Sequence, residues 1–201
     1  MLPQTSHYFS HQPDSDFAPC WIEATCCNRT LKLATGAGVF AKRGLDEGTR
    51  LLLENADLTS ALRIGDLGCG WGAVGCFVAH EYSMSQVFCC DINARATQLT
   101  QLNLREHNLT NASVWCGDGF SAARASFFDA ILFNPPIRAG NVVIQKLFDD
   151  ALRTLQIGGK IWIVLRTAQG AKSWAKKLES QFGNCETVAI ESGYRVLVCV
   201  R

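Results

Sequence analysis

A chain of 201 residues that is 48% hydrophobic and 18% charged has the apolar content for one full core and is not of disordered composition. Its net charge of +1 excludes a bulk positive field, so any contact with RNA must rest on local patches. The first residues lack the basic-then-apolar layout of a secretory signal and no apolar run reaches membrane-spanning length, so a cytosolic, cytoplasmic protein with no membrane partner is expected.

In chain order, Met1 to Ala18 is polar, carries two prolines and reads as a loosely held arm. Trp21–Cys26 and Thr30–Ala34 alternate in character around Asn28-Arg29, the pattern of a β-hairpin with one covered face. A loop follows at Thr35–Phe40, and Asp46 is placed to cap a helix running to Asn55. From residue 62 the rhythm becomes strand, helix, strand. Strands are predicted at 62–66, 86–91, 113–116, 128–134, 160–166, 185–191 and 195–200, with helices at about 73–81, 93–107, 141–156 and 170–181. Continuous apolar runs such as Ala130–Phe133 and Ile161–Leu165 fit strands covered on both faces. Gly158-Gly159 is the expected stop of one helix before its strand, and Ser192-Gly193 joins a final antiparallel hairpin. The fold class expected is α/β: a doubly wound, mostly parallel, seven-stranded Rossmann-like sheet with an antiparallel edge strand, preceded by an N-terminal hairpin. It forms a single domain over 1–201, with the arm and hairpin at 1–45 and the catalytic core at 46–201.

Ten cysteines do not make a framework. Cys26-Cys27 and Cys89-Cys90 are adjacent, Cys69 and Cys76 sit in or beside a glycine turn, and no C-x-x-C occurs. They read as reduced, small buried hydrophobes. His7, His11, Cys20, Cys26 and Cys27 are the only grouping that suggests a metal, without ligand spacing, and no metal is expected.

The polar residues that carry chemistry fall at the carboxyl ends of the predicted strands, where ligands bind in such sheets. Asp66 ends the first strand and opens Asp66-Leu67-Gly68-Cys69-Gly70-Trp71-Gly72; Asp91 ends the second; Asp118 follows the third; Asn134 ends the fourth, in Asn134-Pro135-Pro136-Ile137. The glycines allow a tight turn and close approach of a ligand to the backbone. Asp91 is placed to accept both ribose hydroxyls of an adenosine, in a nicotinamide dinucleotide or in S-adenosylmethionine. Asp66 discriminates, because a carboxylate beside the turn repels a pyrophosphate and favours an amino group and a sulfonium. No Gly-Lys-Ser/Thr follows, which excludes a Walker-type phosphate loop.

These blocks, with Gly38–Asp46 and Asn134–Gly140, resemble the class I S-adenosylmethionine-dependent methyltransferases. Within these they resemble the small-domain family that includes bacterial ribosomal RNA small-subunit guanine-N2 methyltransferases, over nearly the whole chain. The resemblance implies S-adenosylmethionine as cofactor and RNA, ribosomal RNA or a ribosomal subunit, as partner. It implies that Asp66, Gly68 and Gly70, with Cys69 and Gly72, line the methionine part. Asp91 and Ile92 would hold the ribose, Asp118 and Gly119 the adenine, and Phe40, near Lys42 and Arg43, would lie over the pocket.

Asn-Pro-Pro supplies the acceptor chemistry. An exocyclic amino group is a poor nucleophile because its lone pair is delocalised into the ring. Two acceptors aimed at its hydrogens, Asn134 Oδ1 and the Pro135 carbonyl, draw the nitrogen toward a tetrahedral form, and the prolines Pro135 and Pro136 hold that geometry in advance. Asn134 is thus the central catalytic candidate. Ile137 stands where amino methyltransferases often carry an aromatic, and Arg138 is a candidate for a phosphate or a base edge. Arg166, Lys172, Lys176 and Lys177 form a late basic group that also reads as a solvated helix face. A protein glutamine amide, a tRNA base or a small amine would suit the same turn, and an inactive cofactor- or RNA-binding module is the reading from another class.

Overall fold

The computed structural model describes residues 18–41 and 44–201; the polar arm with His7 and His11, and Lys42-Arg43, lie outside them. Strands β1 (Cys20–Cys26) and β2 (Arg29–Thr35) form the expected antiparallel hairpin. Its turn is centred on Cys27-Asn28, at φ of 50° and 59°, one residue earlier than the sequence pattern suggests. A two-residue primed turn matches the twist of the strands, and Asn28 takes its second left-handed position. Alternation then sends Ala24, Leu31 and Leu33 onto Trp71, Phe77, Leu99 and Leu104.

Helix α1 (Glu47–Asn55) begins at Asp46, whose side chain accepts the Thr49 N–H at 2.9 Å. The alternating units follow as β3 (Arg63–Leu67), α2 (Ala73–Glu81), β4 (Gln86–Asp91), α3 (Ala94–Glu106), β5 (Ala112–Cys116), β6 (Phe128–Phe133), α4 (Asn141–Thr154), β7 (Leu155–Arg166), α5 (Ala171–Phe182), β8 (Glu186–Glu191) and β9 (Tyr194–Val200). They build one seven-stranded sheet in the order β5-β4-β3-β6-β7-β9-β8. The pairs from β5 to β7 are parallel, and β9 runs antiparallel to both of its neighbours. Ser192 and Gly193, at φ of 51° and 80°, close the β8–β9 hairpin at the edge. Ile131, Leu132 and Phe133 are wholly buried because α1, α2 and α3 cover one face of the sheet and α4 and α5 the other.

One expectation fails in detail. Gly158-Gly159 does not stop a helix: α4 ends at Thr154, and β7 already pairs Leu155 with Phe128 before resuming at Lys160 opposite Ala130. The two glycines lie in the irregular stretch between these pairs. Gly158 sits at φ 80°, and a Cβ on Gly159 would lie 2.9 Å from the Gln156 carbonyl oxygen and 3.1 Å from that of Phe128. Only glycine fits there.

The chain steps outward from β3 to β4 and β5 on one side, then returns to place β6 on the other. Such a reversal leaves a crevice above the carboxyl ends of the two central strands, the standard ligand position of an open α/β sheet.

Candidate functional site

The crevice holds a cavity of about 410 Å³, walled by the ends of β3, β4 and β6, the start of α1 and the 39–41 loop. Its size and mixed lining are those of a small-molecule site. Most of the residues singled out from the sequence meet on its walls: Phe40, Asp66, Gly68, Cys69, Gly70, Asp91, Ile92, Asp118, Gly119, Asn134, Pro135 and Pro136.

The floor is the turn between β3 and α2. Gly68 and Gly70 sit at φ of 72° and 57°, and a Cβ on Gly70 would meet nothing within 4 Å. The turn is held from behind, since the Cys90 carbonyl accepts the N–H groups of Gly68 at 2.8 Å and Cys69 at 3.0 Å. Gly72 does another job. At φ 86° its missing Cβ faces Thr100, 2.8 Å from Cγ2, so it packs the turn onto α3 and does not line the cavity.

Asp66 is 3% exposed, and its Oδ2 accepts the N–H of Gly75 in the first turn of α2 at 3.0 Å. Burial, reinforced by the nearby Asp91 charge and only partly offset by that hydrogen bond, pushes its carboxyl up to about 7. A buried acid in that state gains from a cationic ligand. Asp91 is tied on both oxygens, with Oδ2 accepting Gly70 N–H and Oδ1 accepting Asn93 N–H, each at 2.8 Å. Burial raises its pKa while these bonds pull it down. The N-cap of α3 is Asn93, whose side chain accepts from Arg95 and Ala96. Burial also holds the Cys69 thiol well above its ordinary value, so the cavity has no thiolate there.

Asp118 stands exposed at the far end and pairs with Lys146 of α4, a residue the sequence did not single out. Phe40 is 43% exposed at the rim, and its carbonyl accepts the Trp71 indole N–H at 2.9 Å, which fixes the loop.

Asn134 follows β6. Both hydrogens of its amide are taken, by Asp46 Oδ2 and Thr49 Oγ1, each at 3.0 Å. Oδ1 is thus the end of the amide free to accept, on a residue that lines the cavity. The Pro135 carbonyl already accepts the Ile137 N–H at 2.9 Å, in an inverse γ-turn centred on Pro136 at φ −75°, ψ 76°. One of its two lone pairs remains. Ile137 packs against the core beneath α4, and exposed Arg138 lies outside the cavity lining. Lys172, Lys176 and Lys177 lie on α5, away from the cavity walls, whereas Arg166 bonds Tyr194.

Sequence reasoning assigned Asp46 only to a helix cap and missed Thr49, Lys146 and Tyr194. The cap pattern at 46–49 was visible; the approach of Asp46 and Thr49 to Asn134 was not. Among the described residues no group of three or more potential metal ligands occurs, and no helix is long and apolar enough to cross a membrane.

Comparison with known proteins places this geometry. Residues 30–198 match the Methyltransferase small domain family. An uncharacterized Bacillus subtilis protein, YbxB, is 32% identical over 96% of this chain and 97% of its own length. Ribosomal RNA small subunit methyltransferase C of Pseudomonas entomophila is 33% identical over 85% of this chain and 51% of its own length. Ribosomal RNA large subunit methyltransferase G of Streptomyces avermitilis is 34% identical over 82% and 44%. The chain thus spans about half the length of the ribosomal RNA methyltransferases it matches. In fold it is similar to a T. thermophilus 16S rRNA N2 guanine methyltransferase solved with AdoMet and guanosine, at a TM-score of 0.80 and 23% identity over 91% of this chain and 50% of that one.

Proposed function

The chain belongs to the methyltransferase small domain family, and from that premise we propose that it transfers a methyl group from S-adenosylmethionine to N2 of a guanine in ribosomal RNA. The observation that carries this reading is the Asn134 amide: both N–H groups are bound by Asp46 and Thr49, which leaves its oxygen as an acceptor on a residue lining the same cavity as the glycine turn.

The cavity fits the cofactor. The turn carries no Cβ at 68 or 70, and buried Asp66 has an oxygen with no hydrogen bond among the described residues. When bound, S-adenosylmethionine supplies an electrophilic methyl carbon. Asp66 binds the amino group of its methionine part by charge and hydrogen bond. Asp91 takes the ribose hydroxyls on its remaining lone pairs, since its backbone bonds hold both oxygens in place. Asp118, with Oδ2 held by Lys146, offers Oδ1 to the adenine amino group. Ile92 and Phe40 provide apolar surface beside the purine.

At the acceptor end, Asn134 Oδ1 and the free lone pair of Pro135 accept the two hydrogens of the guanine amino group and turn its lone pair toward the methyl carbon. Positioning of this kind costs no reorganisation during the reaction. A general base is not needed, because the methylated amine is acidic enough to release its proton to water. Pro135 is buried and Pro136 fixes the turn, so the two acceptors cannot drift apart.

The test is nucleoside mass spectrometry of ribosomal RNA from cells with and without this protein. Loss of one N2-methylguanosine, restored by adding protein and S-adenosylmethionine, is expected; an unchanged N2-methylguanosine content sinks the acceptor assignment. Calorimetry with S-adenosylhomocysteine and with NADH tests the cofactor separately, and binding of NADH alone would overturn it.

A further inference from the structure

Asn134 does not orient itself. The oxygen and nitrogen ends of an amide have nearly the same shape and differ only in hydrogen bonding. Only the oxygen end can accept the hydrogens of an amine, so turnover depends on which end faces the cavity. Resting on the reading above, we propose that Asp46 and Tyr194 are positioning residues that lock the Asn134 amide with Oδ1 toward the acceptor.

The argument follows the hydrogens. Arg166 has only donors, and its Nε–H is given to the Tyr194 hydroxyl oxygen at 2.8 Å. That leaves the Tyr194 O–H to be donated, and it goes to Asp46 Oδ1 at 3.0 Å. Asp46 Oδ2 accepts three donors: the Thr49 N–H at 2.9 Å, the Thr49 hydroxyl at 3.1 Å and Asn134 Nδ2 at 3.0 Å. Because the Thr49 hydroxyl hydrogen is spent on Asp46, its lone pairs face Asn134 and take the second amide hydrogen at 3.0 Å. Every donor path therefore ends on the Asp46 carboxylate, from Arg166 through Tyr194 on one side and from the Asn134 amide, directly and through Thr49, on the other, and the amide cannot flip without setting its oxygen against that carboxylate.

Two packing features serve the same end. The Arg166 guanidinium lies over the Tyr194 ring at 4.8 Å, and Arg166 and Tyr194 are register partners on β7 and β9. The Tyr194 ring fills the space beside Gly48 in α1, where a Cβ would lie 2.7 Å from Cε1. The hydroxyl thereby reaches the start of α1, at a place where the helix has no side chain.

The experiment compares Asp46→Ala, Asp46→Ser and Tyr194→Phe with the full chain and with Asn134→Ala. Tritiated S-adenosylmethionine is the donor and ribosomal RNA from cells lacking this protein is the acceptor. Serine caps a helix about as well as aspartate but is too short to hold Asn134. Asp46→Ser should recover the thermal stability lost in Asp46→Ala while both keep kcat about 10- to 100-fold down, with affinity for S-adenosylhomocysteine within twofold. Tyr194→Phe should lower kcat about 3- to 10-fold. Independently of activity, the Asn134 side-chain amide protons, observed by NMR, should be protected from exchange in the full chain and unprotected in Asp46→Ser. If kcat returns with stability in Asp46→Ser, or the amide protons keep their protection, the positioning role is wrong. If the unaltered protein methylates no RNA, the proposed function fails instead, and the amide signals alone decide this inference.

Discussion

The two halves of the cavity are built in different ways. The half proposed for the cofactor is assembled around its turn from neighbours in sequence: Gly75 reaches Asp66 across nine positions, Asn93 reaches Asp91 across two, and Gly70 reaches Asp91 across 21. The acceptor half is assembled from strangers: Asn134 meets Thr49 across 85 positions and Asp46 across 88, and Tyr194 meets Asp46 across 148. The turn and its two acids need only β3, α2 and β4, and the rim adds Asp118 and Lys146 across 28 positions. The acceptor half exists only after α1, β6 and β9 have all docked. Changes in the cofactor half should therefore show in ligand affinity, while changes in the acceptor half should remove turnover and leave that affinity unchanged.

The largest effect tests this division directly. Asn134→Ala should lower kcat by about 10²- to 10³-fold, the usual loss when a preorganised polar group at the reacting atoms is removed. Affinity for S-adenosylhomocysteine, measured by calorimetry, should stay within twofold. A parallel fall in affinity would show that the two halves are one unit.

Asp66→Asn sharpens the comparison from the other side, because it should move binding and stability in opposite directions. A buried carboxyl raised to about 7, against an ordinary 3.8, binds its proton more tightly in the folded chain than in the unfolded one. The stability this gives is full below pH 3.8 and is lost as pH rises through 7, a cost on the order of 4 kcal/mol by pH 8. The substituted amide carries no such charge, so the ligand-free variant should melt higher than the unaltered protein at pH 8 and lose that advantage near pH 4. A cationic amino group favours the ionised acid, so S-adenosylhomocysteine should release protons on binding at pH 6.5 and bind about 10- to 100-fold more weakly to the variant. Equal affinity in both would remove Asp66 from the site.

Gly72→Ala should act on stability first. It combines a left-handed φ of 86° with a Cβ placed 2.8 Å from Thr100, and both are unfavourable for alanine. A loss of roughly 2 to 4 kcal/mol in denaturant unfolding is expected. An unchanged midpoint would mean that the turn relaxes, and that the cofactor half is looser than its hydrogen bonds imply.

The same division explains what could be read from the sequence. Strands such as Ala130–Phe133 declared themselves by continuous apolar runs, and the acids proposed for the cofactor stood out by lying at strand ends, because both signals are local. Asp46 was read only as a cap, for which Thr49 N–H suffices, and its second role depends on β6 and β9 arriving beside it. Tyr194 and Lys146 carry no local signal at all. Ile137 was singled out by position in the motif, yet the turn sends it to the core, because Pro136 in an inverse γ-turn swings the chain toward α4. Gly158-Gly159 misled because a glycine pair marks a helix stop and a strand irregularity equally well.

The smallest effect lies at the rim of the cofactor half, where Asp118 and Lys146 pair with about half of each side chain exposed. Such a pair is screened by water and salt, so removing it should hardly change stability. Its value would lie in selectivity. With Oδ2 on Lys146, the other oxygen can accept from an adenine amino group but has nothing to offer the carbonyl of hypoxanthine. The unaltered protein should therefore prefer S-adenosylhomocysteine to its inosine counterpart by about tenfold, and Asp118→Asn, whose amide can donate as well as accept, should erase most of that preference at similar overall affinity. Lys146→Met should keep the preference, because it removes only the group that holds Oδ2. If discrimination survives in Asp118→Asn, the acid serves the surface pair alone, and adenine is recognised by the backbone around Gly119.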